Sequence, residues 1–147
     1  MKHMVRTRLT KGMRFEADLA TGHSIAMDAA EAVGGENTAP RPYHLVLASL
    51  SGCTGMDVIS VLRKKRQNVT GFWIDIDAEQ ADDFPKVYTK VHIHYHVAGK
   101  GLDPAAVARA IELSETKYCP VEENLRGRAV ISNEFTLHDE HEGPSAE

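Results

Sequence analysis

Hydrophobic and polar residues alternate over most of the first 28 positions. The segments HMVRTRLT (3–10), MRFEADLA (13–20) and SIAMD (24–28) each show the period of two that is typical of strands with one apolar face. The pattern predicts an N-terminal antiparallel sheet within residues 1–30. The next stretch, AVGGENTAPRP (32–42), is rich in Gly, Pro and Asn and has no period, so we interpret it as a connector.

A long apolar segment follows the connector. No proline occurs from Tyr43 to Gln67, and apolar residues occupy nearly the whole helical circumference. This pattern predicts a buried central helix over residues 43–67, closed by four basic residues where the helix dipole favours cations. The sheet residues of one chain are too few to cover such a helix. We therefore expect a homodimer, in which a partner helix supplies the remaining cover.

Residues 69–137 predict the second half of the fold. Two alternating segments, 70–80 and 86–99, are separated by a short loop and are expected to form a hairpin. A second helix is predicted to begin with Asp103 as its N-cap and to present Val107, Ala110, Ile111 and Ser114 on its inner face.

The chain then turns at a proline and ends in an acidic tail. The step Cys119-Pro120 ends the second helix and begins a short third one, and residues 128–137 predict a last strand. Residues 138–147 are acidic and are expected to be disordered. The element order indicates an α+β fold in a single domain, 1–147, connected by hairpins rather than parallel crossovers.

Charge and composition restrict the possible partners. The 147 residues include 17 Lys and Arg against 21 Asp and Glu, a formal net charge of -4, and show no basic stripe. Nucleic acid and anionic membranes are therefore not expected as partners. The polar start MKHMVRTRLTKG lacks the apolar core of a signal peptide, so a cytoplasmic location is expected.

The two cysteines, Cys53 and Cys119, are the main candidates for chemistry. In a reducing compartment a reactive or redox-cycling pair is more plausible than a permanent structural bridge. Cys119 precedes a helix that begins at Pro120, where free backbone N–H groups favour a thiolate, although Glu122 and Glu123 oppose this. The alternative is a buried, inert cysteine at a helix junction.

Cys53 lies inside the central helix, close to Gly52 and Gly55. Each glycine costs about 1 kcal/mol of helix stability relative to alanine, which is understandable if a backbone or ligand must approach the sulfur. A polar stripe at helical spacing contains Ser49, Cys53, Asp57 and Ser60. The alternative is that this stripe faces water.

No metal site is expected from the sequence. The two cysteines have no recognised zinc-ligand spacing. His92, His94 and His96 lie on one strand face and could bind Zn, Ni or Cu, but apolar residues alternate with them consistently. A solvated strand face is the preferred interpretation of the three histidines.

Two segments resemble a known family. The sequences APRPYHLVLASLSGCTGMDVISVLRKKRQ (39–67) and ETKYCPVEENL (115–125) resemble the OsmC/Ohr family, named for osmotically inducible protein C and organic hydroperoxide resistance protein. The resemblance extends from about Thr10 to Leu137. It implies the OsmC-like fold, an intertwined homodimer with two long central helices, and active sites at the subunit interface.

The resemblance also implies a chemistry. Cys53 corresponds to the attacking thiol, Cys119 to the resolving thiol and Arg14 to the arginine that activates the thiolate. The implied substrate is an organic hydroperoxide, and the implied reductant is an external dithiol of the lipoyl or thioredoxin type, with no bound cofactor. Such a protein would serve in an antioxidant stress response.

One departure from the family pattern bears on this chemistry. Peroxidase members carry a glutamate ten residues before the reactive cysteine, and Tyr43 occupies that place here, followed by His44. His44 is therefore a candidate partner for Arg14, and Asp57 is a further polar residue one helical turn from the thiol. The alternative function is a dimeric ligand-binding or redox-sensing stress protein without peroxidase turnover.

Overall fold

The computed structural model of the protein describes residues 3–144. Contacts divide the chain into two compact units, Met1–Ala48 and Ser49–Glu147. The central helix α1 (His44–Lys64) begins in the first unit and continues in the second, slightly shorter than the segment 43–67 that the sequence predicts. The single domain over 1–147 stays a prediction.

The first unit contains the N-terminal sheet. Its strands are β1 (Val5–Lys11), β2 (Arg14–Leu19) and β3 (Ser24–Met27), in the order β1-β2-β3 and antiparallel throughout. This confirms the sheet predicted within residues 1–30. The turn at Gly12 adopts φ +55°, a left-handed conformation that glycine tolerates.

The connector of the first unit is organised by one carboxylate. Asp28 is only 2% exposed and accepts hydrogen bonds from the backbone N–H of Ala29 (2.8 Å), Glu36 (3.3 Å) and Thr38 (3.0 Å). The Thr38 hydroxyl also donates to it, at 2.7 Å. The hydrogen bonds from Thr38 are the main reason that the pKa of Asp28 falls to about 2. The connector is therefore irregular but ordered, and it includes a 3-10 turn at Glu31–Val33.

The second unit contains a mixed sheet in the order β4-β5-β6. Strands β4 (Asn68–Gln80) and β5 (Tyr88–Lys100) form the predicted antiparallel hairpin. Strand β6 (Val130–His138), however, runs parallel to β5, with Lys90 paired to Val130 and Ala98 to His138. The expectation of hairpins without a parallel crossover is wrong for this pair.

The parallel pairing has a simple cause. Parallel neighbours need a long crossover, and residues 101–129 supply one that contains α2 (Pro104–Leu113), a π-helical turn (Ser114–Tyr118) and α3 (Pro120–Leu125). Asp103 caps α2 as predicted and accepts a hydrogen bond from the backbone N–H of Ala105 at 3.0 Å.

The core of the second unit lies on one face of β5 and one face of each long helix. The inward side chains of β5 and the inner face of α2, both predicted from their periods, are at most 3% exposed: Val91, Ile93, Tyr95, Val97, Val107, Ala110, Ile111 and Ser114. Helix α1 adds a stripe with a spacing of four residues, formed by Leu50, Thr54, Val58 and Leu62.

Helix α1 is not buried on all sides within one chain. Outside its buried stripe most side chains are half-buried or exposed, and Met56 is 73% exposed. By length and composition alone α1 is the one helix among residues 3–144 that could cross a membrane. Its Thr54 hydroxyl nevertheless contacts Tyr95 of β5, and Gly55 lies against Ile74 of β4, which is the packing of a core helix.

The acidic tail is partly ordered. His138 is the last residue of β6, and its Nδ1 lies 2.8 Å from a Glu142 carboxylate oxygen. The Thr70 hydroxyl donates to the Glu140 carbonyl at 2.7 Å. The predicted disorder of residues 138–147 is therefore wrong for residues 138–142, because the tail continues from β6 to β4, the other outer strand of the sheet. Residues 145–147 lie outside the described part.

We expect the protein to be a homodimer in solution. In the first unit every residue of β1 is exposed, and large apolar side chains at Val5, Leu9 and Phe15 are 57%, 59% and 41% exposed. A second copy would cover these side chains and the exposed sides of α1. Light scattering at micromolar concentration should give twice 16.2 kDa, about 32 kDa. Met56→Glu should weaken the dimer, and a wild-type mass of 16.2 kDa would contradict the prediction.

Candidate redox site

Three side chains from two distant parts of the sequence meet inside the second unit. The sulfur atoms of Cys53 and Cys119 and a carboxylate oxygen of Asp57 all lie within 4.8 Å of one another. Cys53 and Asp57 are one turn apart on α1, whereas Cys119 is the N-cap of α3. Both cysteines are free thiols. In the predicted polar stripe of α1, the outer residues Ser49 and Ser60 are exposed. The two middle residues, Cys53 and Asp57, lie next to Cys119 instead.

Cys119 is the more enclosed thiol. It is 4% exposed, and its sulfur accepts a hydrogen bond from the backbone N–H of Glu122 at 3.4 Å, which confirms the N-cap position. Burial nevertheless raises the pKa of Cys119 to about 12, assisted by a hydrogen bond with Cys53, and this outweighs the opposing effect of the N–H. The expected thiolate stabilisation at this N-cap is therefore not the net result. Burial therefore favours the protonated form of the Cys119 thiol.

Cys53 is the more accessible thiol, because it is only half-buried. Its two glycine neighbours differ in surroundings. A Cβ at Gly55 would lie 3.2 Å from Ile74 Cδ1, so this glycine permits close packing of α1 on β4. A Cβ at Gly52 would meet no atom within 4 Å, and Gly52 borders an open groove of about 380 Å³ between α1 and β4. Of these two glycines, only Gly55 is therefore explained by close packing within the chain.

A chain of hydroxyl groups connects the core to Asp57. The Tyr95 hydroxyl lies 2.6 Å from Thr54 Oγ1, which lies 2.9 Å from Ser114 Oγ, which lies 3.0 Å from Asp57 Oδ2. Ser114 is the donor toward both Thr54 and Asp57, so its single proton is shared between these two contacts. Either oxygen can donate in the contact between Thr54 and Tyr95. The sequence predicted Ser114 only as part of the inner face of α2. It predicted Tyr95 only as part of the inner face of β5, and it gave no signal for Thr54.

A second carboxyl group is buried beside Cys119. Glu122 is 2% exposed, and its pKa is raised, first by burial and then by the negative charge of Glu115. Arg126 opposes this shift from 3.7 Å. Burial therefore disfavours the charged forms of both groups at this position, the Cys119 thiolate and the Glu122 carboxylate.

The remaining predicted site residues belong to the first unit. The guanidinium of Arg14 donates to the Thr38 carbonyl (3.1 Å) and hydroxyl (3.0 Å) and lies 3.4 Å from Glu16 Oε1. Thr38 in turn donates to Asp28, so Arg14 is positioned by the ordered connector. Tyr43 directly precedes α1, and His44 is its first residue. The roles of Arg14, Tyr43 and His44 toward Cys53 stay predictions.

The three strand histidines are half-buried rather than fully solvated. The parallel register of β6 places polar side chains opposite them: the rings of His92, His94 and His96 lie 2.8 Å, 2.8 Å and 2.9 Å from side-chain atoms of Ser132, Thr136 and His138. Burial is the first cause that lowers the pKa of His96. Within residues 3–144 their ring nitrogens do not converge on a three-ligand cluster, unlike the cysteine pair.

The fold and the thiol pair together define a class of protein, an α+β protein with a cysteine on its long central helix and a second cysteine facing it. The family model described as OsmC-like protein matches residues 35–134. The chain belongs to the OsmC-like family.

Relatives support the assignment along nearly the whole chain. Protein YhfA of Escherichia coli K12 is 35% identical over 132 residues, which cover 90% of this chain and 96% of YhfA. A hypothetical protein from Aquifex aeolicus VF5, known from a crystal structure, is 28% identical in sequence. Its structure superposes with a TM-score of 0.77, and the match covers 94% of this chain and 98% of that one. A Legionella pneumophila protein described as an organic hydroperoxide resistance protein OsmC shares the fold at 15% identity, with a TM-score of 0.68 and coverage of 92% and 97%.

Proposed function

We propose that the protein is a thiol-dependent peroxidase that reduces organic hydroperoxides. The observation that carries the proposal is the approach of Cys53 and Cys119, whose sulfur atoms lie within 4.8 Å of each other although 66 positions separate them (119 − 53). The name of the Legionella relative supports the substrate class. The reducing cytoplasm is the proposed location, since the cycle depends on free thiols.

The proposed cycle begins at the accessible thiol. The Cys53 thiolate attacks the terminal oxygen of the hydroperoxide, the O–O bond breaks, and the alcohol leaves after it takes up a proton. Cys53 is thereby oxidised to a sulfenic acid. The sulfur of Cys119 then attacks the sulfur of Cys53, the sulfenic oxygen leaves as water with the Cys119 proton, and a disulfide forms. An external dithiol of the lipoyl or thioredoxin type reduces the disulfide by exchange.

The different environments of the two thiols support this assignment of roles. Cys53 is half-buried and so can meet a peroxide, whereas Cys119 is 4% exposed. Burial raises the pKa of Cys119, which makes this thiol less reactive toward peroxide than an accessible one. A disulfide needs the sulfurs at about 2.05 Å, so formation requires a modest movement of the turn that carries Cys119. In the proposed homodimer, Arg14 would stabilise the Cys53 thiolate.

The test is catalytic turnover with cumene hydroperoxide or tert-butyl hydroperoxide and dihydrolipoamide as the reductant. We expect many equivalents of peroxide to be consumed per protein, faster than with hydrogen peroxide. Arg14→Ala should retain partial activity, reduced by roughly tenfold for the loss of one charge-assisted contact. Arg8→Ala is the matched control, because Arg8 is a surface arginine of the same sheet paired with Asp18. Turnover no faster than the protein-free reaction would contradict the proposal.

A redox-sensing protein is the second candidate. The buried, protonated Cys119 favours it, because such a thiol can close a disulfide without being suited to rapid recycling. In that case one equivalent of hydroperoxide would produce the Cys53–Cys119 disulfide, but dihydrolipoamide would not restore the thiols on the time scale of the assay. The same experiment therefore separates the two functions.

A further inference from the structure

We propose that the reduced protein binds one thiophilic divalent cation, with Zn²⁺ as the representative ion, through Cys53, Cys119 and Asp57. The ion would have two sulfur ligands, one carboxylate oxygen and a fourth position open to water or to a ligand. The sequence alone disfavoured zinc, because the two cysteines do not have a spacing that is recognised for zinc ligands. The fold brings the three ligand groups together, which the sequence does not show.

The geometry fits a tetrahedral ion after a small adjustment. With zinc bonds of about 2.3 Å to sulfur and about 2.0 Å to oxygen, tetrahedral ligand atoms lie roughly 3.5 to 3.8 Å apart. The three atoms here lie within 4.8 Å of one another. Side-chain rotations that move the ligand atoms by about an ångström would bring these separations to the tetrahedral values. Cys53 and Asp57 are spaced i, i+4 on one helix, so these two ligands lie on the same side of it.

The surroundings resemble the outer contacts of a metal site. Carboxylate ligands are usually held by a hydrogen bond from a neighbouring group, and Ser114 donates to Asp57 Oδ2 at 3.0 Å. The sulfur of Cys119 accepts the Glu122 N–H at 3.4 Å. Arg126 pairs with Glu122 and Glu123 rather than with Asp57. A bound cation would therefore supply positive charge to this group of potential anions.

The cation and the disulfide exclude each other because both use the same two sulfurs. On binding, each thiol loses its proton to the solvent and donates to the ion. If a hydroperoxide oxidises the pair, two thiolates, one hydroperoxide and two protons give a disulfide, an alcohol and water, and the ion is released. A bound cation would thus protect the two thiols from oxidation, and the redox state of the cysteine pair would determine whether the cation binds. The binding step itself does not rest on the proposed peroxidase function.

The test measures binding without peroxide. Fully reduced protein under anaerobic conditions should take one equivalent of Zn²⁺ from a chromogenic chelator, and Co²⁺ should show thiolate-to-metal charge-transfer absorption. Cys53→Ser and Cys119→Ser should each weaken binding by about 100-fold or more, and Asp57→Asn by about tenfold. His94→Gln is the control for binding by the strand histidines and should change nothing. Protein oxidised beforehand to the disulfide should bind no ion at this site.

Two results would overturn the inference. The first is Co²⁺ binding to the wild-type protein without thiolate charge transfer, a readout that needs no variant and so does not depend on variant folding. The second is equal Zn²⁺ affinity in the wild type and Cys53→Ser, which would assign the ion to histidines or carboxylates elsewhere. Stoichiometric binding without any hydroperoxide turnover would support the metal site and contradict only the peroxidase.

Discussion

Cys53→Ser is expected to lose hydroperoxide reduction by at least about 1,000-fold, equivalent to about 4 kcal/mol of transition-state stabilisation. A serine hydroxyl at this position is a far weaker nucleophile than a thiolate, and it cannot form a sulfenic acid. The replacement is nearly isosteric, and the side chain is only half-buried, so the fold should tolerate it. The rate of peroxide consumption with excess dihydrolipoamide is the measurement, and far-UV circular dichroism checks the fold.

Cys119→Ser is the matched control for this prediction. It should consume one equivalent of hydroperoxide per chain and then stop, because Cys53 reacts but no neighbouring thiol resolves the sulfenic acid. Mass spectrometry after dimedone treatment should locate one adduct on Cys53, and excess peroxide should convert this residue to higher oxides. Normal recycling of Cys119→Ser would exclude Cys119 as the resolving residue, whereas undiminished turnover of Cys53→Ser would exclude Cys53 as the attacking one.

The meeting of these two thiols could be anticipated only through the family resemblance. Local patterns correctly placed Cys53 within a helix and Cys119 at an N-cap. They did not reveal the approach of the two residues, because spacing along a chain does not determine which elements pack together. The same limit explains the direction of the pKa shift at Cys119. The N-cap is a local feature, whereas the burial that outweighs it depends on tertiary packing.

The fold shows the same division between local and long-range information. The period of two in β5 and β6 correctly identified both strands, but it contains no signal for parallel or antiparallel pairing. The connector after β3 appeared structureless because its order comes from Asp28, a single carboxylate that collects donors from residues up to ten positions away. Composition alone likewise suggested a free tail, although the Glu140 carbonyl accepts a hydrogen bond from Thr70.

The hydroxyl chain behind the candidate site is expected to be a major source of stability. Thr54 is fully buried, and Tyr95 is 1% exposed, with 2.6 Å between their oxygens. Thr54→Val keeps the volume but leaves the Tyr95 hydroxyl buried without its hydrogen-bond partner, so the free energy of unfolding should fall by about 1 to 3 kcal/mol. Tyr95→Phe leaves Thr54 bonded to Ser114 and should cost about 0.5 to 1.5 kcal/mol. Urea unfolding is the measurement.

The double variant Thr54→Val/Tyr95→Phe separates a specific interaction from general damage. It leaves no orphaned hydroxyl between these positions, so its loss of stability should be clearly smaller than the sum of the two single losses. Thr116→Val is the control, because Thr116 is exposed and its hydroxyl donates to the Glu112 carbonyl at the surface; a change within about 0.5 kcal/mol is expected. Strict additivity of the two core substitutions would contradict the interaction.

The alkaline side of the stability curve gives an independent check of the same hydroxyl chain. Burial raises the pKa of Tyr95 well above its ordinary value of 10.0. Because the folded pKa is the higher one, the unfolded chain loses this proton first as the pH rises. The contribution of Tyr95 is therefore fully present below pH 10.0 and is lost progressively above it. Tyr95→Phe should make the unfolding midpoint fall less steeply above that pH than in the wild type, whereas an unchanged alkaline slope would show that Tyr95 ionises freely in the folded protein.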